Sequence, residues 1–355
     1  MSVLLFILGF LLLAVVSSDV LITTLTVRGG GFLTNRFSSW LWHGATKLHR
    51  HNTNHRLLAA AGLLLILGMA VLWYLCTWGA WSLIFCSFSK AIVNASNDEP
   101  ASIWGRIYFV AYTITTLGRG DYQPSNTAWH LLTGLAAANG FFLVTLSIAY
   151  LFPLVSAATE KRILAVTITC LGGTADEILT KAWNGKDFGN LDQHLINLAP
   201  LIVGLGEKHL TYPVLHYFHT PLRSRCLPLS IAALDEALTI LQYGVPLEYR
   251  PDPAALTPVR RSCAAFLTTL KSDYIKPSQH EPPLMPLNLL RSKGIPTVDD
   301  YTYVRTMKHI NKRRKLLLAL VENDGWSWDA SASSLTTSRA KSLDDDEIVE
   351  NFSLS

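Results

Sequence analysis

The chain has 355 residues, of which 50% are hydrophobic and 16% charged, and its formal net charge is +4. The mean hydropathy is positive, and the apolar residues concentrate in the first 155 positions, which favours a membrane protein over a soluble enzyme. The positive charge is too small and too scattered to indicate a nucleic-acid partner.

Three segments are long enough to cross a bilayer, which takes about 20 apolar residues. They run from about Val3 to Val27, from Leu57 to Phe85 and from Ala128 to Val155. The first has no basic region before its apolar run and no small-residue cleavage site, so we expect a retained helix and not a signal peptide. Asp19 interrupts this helix. It either lies near the membrane interface or faces protein, water or a partner, because a carboxylate in lipid is costly.

The charges of the loops predict the orientation of these helices. The first loop is basic and has no Asp or Glu, whereas the second carries both signs. Basic loops favour the cytoplasmic side, so the amino terminus is predicted outside and the carboxyl terminus inside. The basic residues of the first loop are Arg28, Arg36, Lys47, Arg50 and Arg56. An outer aromatic belt is expected from Trp73, Trp78, Trp81, Trp104 and Trp129.

The second loop contains a short apolar segment followed by a glycine-rich string. Residues 103–115 are too few to span, as in a helix that enters the membrane and stops. The carboxyl end of such a helix carries a partial negative charge, which favours a cation. Gly118 and Gly120 give the backbone after it the freedom to point successive carbonyls the same way. Carbonyl oxygens in such a row can replace the hydration shell of a cation.

The residues from Tyr112 to Pro124 read YTITTLGRGDYQP. This string, within about Leu57 to Val155, resembles the pore module of the potassium channel superfamily, which has an outer helix, a pore helix, a filter and an inner helix. Thr116 matches the filter threonine, Leu117 the usual valine or isoleucine, Gly118 and Gly120 the two glycines, and Asp121 the acidic residue. Arg119 stands where the family has tyrosine or phenylalanine. The chain as a whole resembles a bacterial three-helix branch of that superfamily.

This resemblance implies several properties of the assembled protein. One pore loop per chain implies a homotetramer, because the family's pores place four filter strands around an axis. The implied setting is the bilayer of the bacterial cytoplasmic membrane. No cofactor is expected, and K⁺ is the monovalent cation expected in the filter. The aromatic that Arg119 replaces points away from the ions, so Arg119 is expected to project behind the filter.

Two alternatives are open for Arg119. It can be structural, stacked on Tyr108, Phe109 or Tyr112 or paired with Asp121. Alternatively, four unpaired arginines would repel cations and change selectivity or conduction.

The third helix has two gating candidates. Gly140 lies twenty residues after Gly120, where the family often has a hinge glycine, and it either bends or packs closely. Pro153 either kinks the helix or ends it near its inner face. Asn139, in an apolar helix, is expected to face the cavity or a neighbouring helix.

The composition changes after the third helix, and the spacing of apolar residues predicts a helical cytosolic domain. His209, His216 and His219 lie among aromatic residues, which favours ordinary packing over pH sensing or metal binding. A final helix is predicted from about Val298 to Val321. Its basic cluster either forms a solvated face or touches anionic lipid. The members of the cluster are Lys308, Lys312, Arg313, Arg314 and Lys315.

The predicted organisation is that of an all-α membrane protein. Residues 1–56 form an amino-terminal transmembrane helix and a basic loop, 57–158 the pore domain, 159–325 the cytosolic helical domain and 326–355 a disordered tail. The five cysteines have no CxxC or other metal-like spacing, so no metal site is predicted, and no catalytic motif is present.

The predicted function is a tetrameric cation channel that conducts potassium and is not an enzyme. A nonselective cation channel is one alternative, and a non-conducting receptor or scaffold with a channel-like fold is another. No arginine-repeat voltage sensor and no ligand-binding module are apparent, so the sequence gives no gating stimulus.

Overall fold

A computed structural model describes residues 2–27, 30–52, 55–273 and 275–329 of the chain. The described residues fall into two units. The membrane unit takes its residues from Met1–Gly44, Ala60–Ser156 and Leu210–Val214. The C-terminal unit takes them from Ala45–Ala59, Ala157–His209 and Leu215–Ser355. The predicted tail lies, from residue 330 onward, outside the described residues.

The first seven elements of the chain contain the segments that the sequence assigns to the bilayer. Of these, α1, α3 and α5 are long and apolar enough to cross a membrane, which confirms the three predicted spans. The elements are α1 (Val3–Leu25), α2 (Phe32–Asn52), α3 (His55–Cys86), β1 (Ile92–Asn94), α4 (Ile103–Ile114), β2 (Tyr122–Pro124) and α5 (Thr127–Leu171).

The first and third helices approach each other closely at a glycine. A Cβ atom on Gly9 would lie 2.8 Å from the carbonyl oxygen of Ala80 and 2.8 Å from Cγ1 of Ile84. Small residues let helix backbones come this near in a membrane, where packing replaces the hydrophobic effect. Gly9 therefore fixes α1 against the second half of α3.

Asp19 faces protein, which decides between the two sequence alternatives. Its carboxylate is only 3% exposed and accepts hydrogen bonds from groups on two other helices. The backbone N–H of Leu33 donates at 2.7 Å, the Thr34 hydroxyl at 2.7 Å and the Trp73 indole at 2.9 Å. The carboxylate thus caps the positive end of α2 and ties it to α1 and α3.

Trp73 is therefore wrongly assigned to the outer aromatic belt. It is 1% exposed and bonded to Asp19. It lies 13 residues before Cys86, the last residue of α3, which is about 20 Å along the helix axis. The need of a buried carboxylate for a donor outweighs the preference of tryptophan for the interface.

The basic loop between α1 and α3 is mostly helical, which the sequence prediction missed. Helix α2 has a buried stripe formed by Thr34, Ser38 and Trp42, at the spacing of one residue per turn. Because two of these residues are polar, the stripe does not have the apolar periodicity by which an amphipathic helix is recognised.

The third spanning helix continues beyond its predicted end. It was expected to stop near Val155, but α5 runs without interruption to Leu171 and contains Pro153. A proline inside a helix removes one hydrogen bond, here to the carbonyl of Ala149, and leaves the rest of the ladder intact. Its 45 residues correspond to about 68 Å of length.

The C-terminal unit is helical, as predicted. It is organised around α8, in which every residue from Leu227 to Leu241 is buried. Helices α6, α9, α11 and α12 all pack against α8. The helices of this part of the chain are α6 (Ala175–Ala182), α7 (Asp192–Thr211), α8 (Leu227–Tyr243), α9 (Pro253–Asp273), α10 (Asn288–Ser292), α11 (Asp300–His309) and α12 (Asn311–Asn323).

Two carboxylates in the buried helix α8 are paired with two arginines of α12. Asp235 accepts hydrogen bonds from the Nε and Nη2 atoms of Arg313. Glu236 accepts from Nε of Arg314 at 2.7 Å and from Nη2 at 3.0 Å. Both arrangements are bidentate, the geometry that the arginine fork provides.

The basic cluster of the last helices is therefore only partly a solvated face. Arg314 is 2% exposed, so the expectation of a solvated or lipid-touching face is wrong for this residue. The single predicted helix over Val298 to Val321 is also divided into α11 and α12 at Ile310. At Ile310 the backbone leaves the helical region, with a φ of −103° and a ψ of 7°.

The three histidines are buried, in agreement with ordinary packing. The ring of His219 lies 3.1 Å from a carboxylate oxygen of Asp324 and 3.0 Å from the ring of His55. The Nδ1 atom of His209 lies 2.9 Å from the carbonyl of Leu205. Within the described part of the chain, no group of three potential metal ligands is found.

We predict that Arg314→Met destabilises the C-terminal unit by about 3–5 kcal/mol, because it leaves the Glu236 carboxylate buried without its charge partner. The measurement is the melting temperature of the detergent-solubilised protein. Lys308→Met, on an exposed residue of the same basic cluster, is the matched control and is expected to melt like the wild type. Adding Glu236→Met to Arg314→Met removes the unpaired charge and is expected to recover part of the loss.

We also predict that the protein loses stability as the pH falls from about 7 towards 3. Burial and the nearby Lys161 charge lower the pKa of His209 to about 3, from an ordinary 6.5. Between these values the unfolded chain binds a proton that the folded chain does not, which costs about 1.4 kcal/mol per pH unit.

The corresponding experiment compares His209→Leu with His194→Leu, which alters an exposed histidine of the same helix. Melting temperatures are recorded from neutral pH to about pH 5. His209→Leu is expected to flatten the pH dependence, and His194→Leu to leave it unchanged. Equal slopes in the two variants would contradict the assignment to His209.

Candidate ion pathway

The pathway is built on α4, a helix that is too short to cross a bilayer. The Ser102 side chain caps its first turn by accepting from the N–H of Gly105 at 3.1 Å. Its 12 residues extend about 18 Å, roughly half of the hydrocarbon thickness. The helix ends at Ile114, directly before the glycine-rich string, as predicted.

The backbone after α4 changes handedness at each residue. Thr115 has a φ of −86°, Thr116 of +57°, Gly118 of +59° and Gly120 of +82°, whereas Leu117 and Arg119 are not in the positive region. Glycine tolerates positive φ, but in the β-branched Thr116 it is a strained conformation. Backbone that alternates between the two hands aligns successive peptide groups on one side of the chain.

The carbonyl oxygens of this segment are available for a ligand. Residues 115–121 are all exposed. Within the described residues, no N–H or O–H group donates to the carbonyls of residues 116–120. The rule that backbone carbonyls are paired within the protein holds for buried ones, whereas exposed carbonyls such as these can bind water or a cation. Chemically, they form a row of oxygen ligands suited to a cation that has lost water.

The chain on either side of the carbonyl segment is fixed to the pore helix. Strand β1 pairs antiparallel with β2, and the N–H of Ala95 donates to the carbonyl of Asp121 at 3.1 Å. The hydroxyl of Tyr112 donates to the carbonyl of Tyr122 at 3.1 Å. The ring of Tyr122 in turn lies over Gly105, where a Cβ atom would be 2.9 Å away. Both ends of the segment are therefore held by α4.

A buried arginine, which was not predicted as a functional residue from the sequence, fixes α4 to the end of α3. Arg106 is 7% exposed, and its Nη1 atom donates to the carbonyl of Cys86 at 3.3 Å and to that of Phe88 at 3.1 Å. A cation at a helix carboxyl end pairs with free carbonyls and with the negative end of the dipole. In the sequence, Arg106 could have been recognised as a single charged residue in an otherwise apolar short helix.

Arg119 pairs with Asp121, which is one of the two structural arrangements suggested by the sequence. The Nε atom lies 3.6 Å from a carboxylate oxygen, and the two side chains are 60% and 52% exposed. An exposed pair of this kind contributes at most about 1 kcal/mol. The pair matters more for the local charge than for the stability of the fold. Because the two charges cancel, the pair presents no net charge beside the carbonyl segment.

Comparison with known proteins places part of this chain in a family. Residues 61–157 match a protein family described as "Ion channel". Over 321 residues the chain is 35% identical to an uncharacterized membrane protein of Bacillus subtilis (strain 168), YdjJ, covering 90% of this chain and 94% of that protein. The chain belongs to the pore-loop ion channel superfamily. No solved structure matches it.

Gly140 of the channel packs against the carboxyl end of the pore helix. A Cβ atom there would lie 2.0 Å from the carbonyl oxygen of Ile114, two residues before Thr116. The adjacent Asn139 accepts a hydrogen bond from the Trp81 indole at 3.1 Å, so it faces a neighbouring helix. Close packing thus describes Gly140, and its role as a hinge stays a prediction.

Pro153, the other gating candidate of the channel, lies 13 residues after Gly140 on the same helix. It does not meet the pore helix, because this separation is about 20 Å along the axis. The alternative that it ends the helix is wrong, since α5 continues to Leu171. A bend at this position stays a prediction.

We predict that Gly140→Ala displaces the carboxyl end of α4 and disturbs the carbonyl segment. The new methyl group meets backbone, which cannot move away as a side chain can. Gly134→Ala on the same helix is the matched control, because nothing lies within 4 Å of its Cβ position.

The measurement is the melting temperature of the solubilised channel together with ion flux in liposomes. Gly140→Ala is expected to lower both. Gly134→Ala is expected to keep flux and to gain up to about 1 kcal/mol in helix stability. Normal flux and melting in Gly140→Ala would contradict the close-packing assignment.

Proposed function

We propose that four copies of this chain form a potassium-conducting channel in the bacterial cytoplasmic membrane. The selectivity filter is the segment from Thr116 to Asp121, and K⁺ is the permeant ion. The observation that carries the proposal is the exposed row of carbonyls at residues 116–120, which have no donor among the described residues. The row lies at the end of a helix that is about half a bilayer long. Such oxygens compensate an ion for its lost hydration shell.

The tetramer follows from the number of ligands that an ion needs. One chain supplies one row of carbonyls, and a ring of four rows around a symmetry axis surrounds the ion at each level. The dipole of α4 supports cation binding, because its negative end directly precedes Thr116. Four copies of this helix would aim four such ends at the same axis.

The ion pair between Arg119 and Asp121 supports cation entry. Four unpaired arginines at a pore mouth would repel cations by about 1 kcal/mol or more for each charge several ångströms away. Pairing with Asp121 cancels most of this repulsion. We therefore assign Arg119 a structural role beside the filter and Asp121 the role of its counter-charge.

The orientation proposed for the chain places its amino terminus outside and its carboxyl terminus in the cytoplasm. The support is the composition of the connections, since α2 has basic residues and no acidic ones, whereas the pore loop carries both signs. Gating would act through α5, which contains both Gly140 and Pro153 and continues into the C-terminal unit.

A nonselective cation channel is the second candidate, and Arg119 is the residue that favours it. An arginine replaces the aromatic side chain that packs behind the filter in the resembled family. An exposed ion pair holds the backbone less rigidly than a packed ring. A looser filter would accept Na⁺ and K⁺ alike.

The deciding experiment is bilayer recording of the purified protein under bi-ionic conditions, with voltage and pH scanned. Under the potassium proposal the wild type prefers K⁺ over Na⁺, and Gly120→Ala loses the preference, because a Cβ atom is strained at a φ of +82°. Under the nonselective alternative the wild type has comparable permeabilities and Arg119→Tyr raises the preference for K⁺.

The matched control for these recordings is Lys90→Gln, which removes an exposed positive charge of the pore loop away from the filter. It is expected to leave the permeability ratio unchanged. A folded tetramer that passes no ion under any tested condition would contradict both channel proposals. That result would support a scaffold instead.

A further inference from the structure

Helix α2 has an exposed face of unusual composition. Trp40 is 75% exposed and Phe32 is 65% exposed. Arg36 lies between them on the same side of the helix, with its guanidinium carbon 4.9 Å from the centre of the Phe32 ring. With Gly44, one turn further on, these residues form a stripe that we name the α2 outer face. It is opposite in character to the polar buried stripe of the same helix.

All charged residues of α2 are positive. The helix contains Arg36, Lys47 and Arg50 and has no Asp or Glu over its 21 residues. A partner for its outer face must therefore offer negative charge for the arginine and an apolar environment for the two rings. Tryptophan, phenylalanine and basic residues together on a helix of low overall hydrophobicity are the composition of helices that lie in a membrane interface.

The position of α2 is set by the Asp19 carboxylate. Asp19 lies six residues before Leu25, the last residue of α1, which is about 9 Å along the axis. Because this carboxylate binds the first turn of α2, the start of α2 is held beside the last turns of a membrane-spanning helix. That depth is where the hydrocarbon ends and the headgroups begin.

We propose that α2 is an interfacial helix whose outer face binds the anionic headgroups of the bilayer that surrounds the protein. Trp40 and Phe32 enter the boundary between acyl chains and headgroups, and Arg36 pairs with lipid phosphate. The membrane fits this face better than a soluble acidic protein does, because two large rings need burial and the Asp19 contact holds them at membrane depth. The inference does not depend on ion conduction.

The experiment measures where the outer face lies in the full-length protein. A nitroxide is attached at Gly44→Cys in a background with serine in place of the exposed Cys170 and the half-buried Cys76 and Cys86, because these three thiols would compete for the label. Gly204→Cys in α7 is the matched control. Both positions are exposed helical glycines with nothing within 4 Å of the Cβ position. Accessibility to oxygen and to a water-soluble nickel chelate is compared in phosphatidylcholine vesicles with and without phosphatidylglycerol.

In vesicles with phosphatidylglycerol, the label at position 44 is expected to favour oxygen, and the label at 204 to favour the nickel chelate. Without the anionic lipid, label 44 is expected to shift towards water. Arg36→Gln and Lys47→Gln are each expected to lower the ratio of immersed to hydrated label about fivefold in the anionic vesicles. Lys186→Gln, on an exposed lysine of the C-terminal unit, is expected to have no effect.

Three results would overturn the proposal. Equal nickel accessibility at positions 44 and 204 in both lipids would mean that the outer face is in water. A label at 44 that neither reagent reaches, in either lipid, would mean that protein covers it. If replacing Asp344, Asp345 and Asp346 by Asn exposes the label, the acidic carboxyl-terminal segment is the partner. Each result is read without ion flux, so it is independent of the proposed channel function.

Discussion

Hydrocarbon offers no hydrogen bonds, so a polar group that enters a membrane unit must find its partner within the protein. Among the described residues of the membrane unit, Asp19, Arg106 and the half-buried Asn139 have protein partners, while Nε of Arg106 has none. Asp19 is paired with α2 and α3, Arg106 with the end of α3, and Asn139 with Trp81. These contacts fix the positions of the helices relative to each other along their axes. Apolar packing alone does not determine those positions. The carbonyls of residues 116–120 differ from these groups, because no donor within the described part of the chain pairs with them.

The C-terminal unit also buries charged side chains with partners from another helix. Its central helix α8 is buried on all sides, yet it carries two adjacent carboxylates. Each has a bidentate arginine from α12, and Arg314 also donates to the carbonyls of Pro282 and Pro283. Buried ion pairs contribute little net stability, but one without its partner is costly. In the docking of α12 on α8 that the structure shows, both carboxylates have a charged partner.

The sequence predicted those parts of the structure that local pattern determines. The lengths of the apolar runs predicted α1 and α3, and the short run before Thr116 predicted the pore helix. The glycines at 118 and 120 predicted the unusual backbone, since few other residues adopt positive φ. The string that resembles a channel filter predicted the superfamily.

The sequence failed where a residue's partner is distant along the chain. Helix α2 was missed because its cap, Asp19, lies on another helix and its buried stripe is polar. Trp73 was misplaced because its hydrogen bond to Asp19 spans 54 positions. Arg314 was taken as solvated because its carboxylate is 78 positions away on a helix that looks apolar. The length of α5 was underestimated because proline was given more weight than the continuing helical pattern on both sides.

The pairing of Asp19 has a consequence for the biogenesis of the protein. When α1 emerges from the ribosome, its carboxylate has none of the donors that it has in the finished fold. Asp19 lies about 9 Å from the end of α1, so its cost during translocon insertion is below the value of about 2.5–3.5 kcal/mol for an aspartate at the centre of a spanning helix. The first donors, at Leu33 and Thr34, are synthesised 14 and 15 residues later, and Trp73 follows 54 residues after Asp19. The full set of donors to Asp19 thus exists only after α2 and the first part of α3 have been translated.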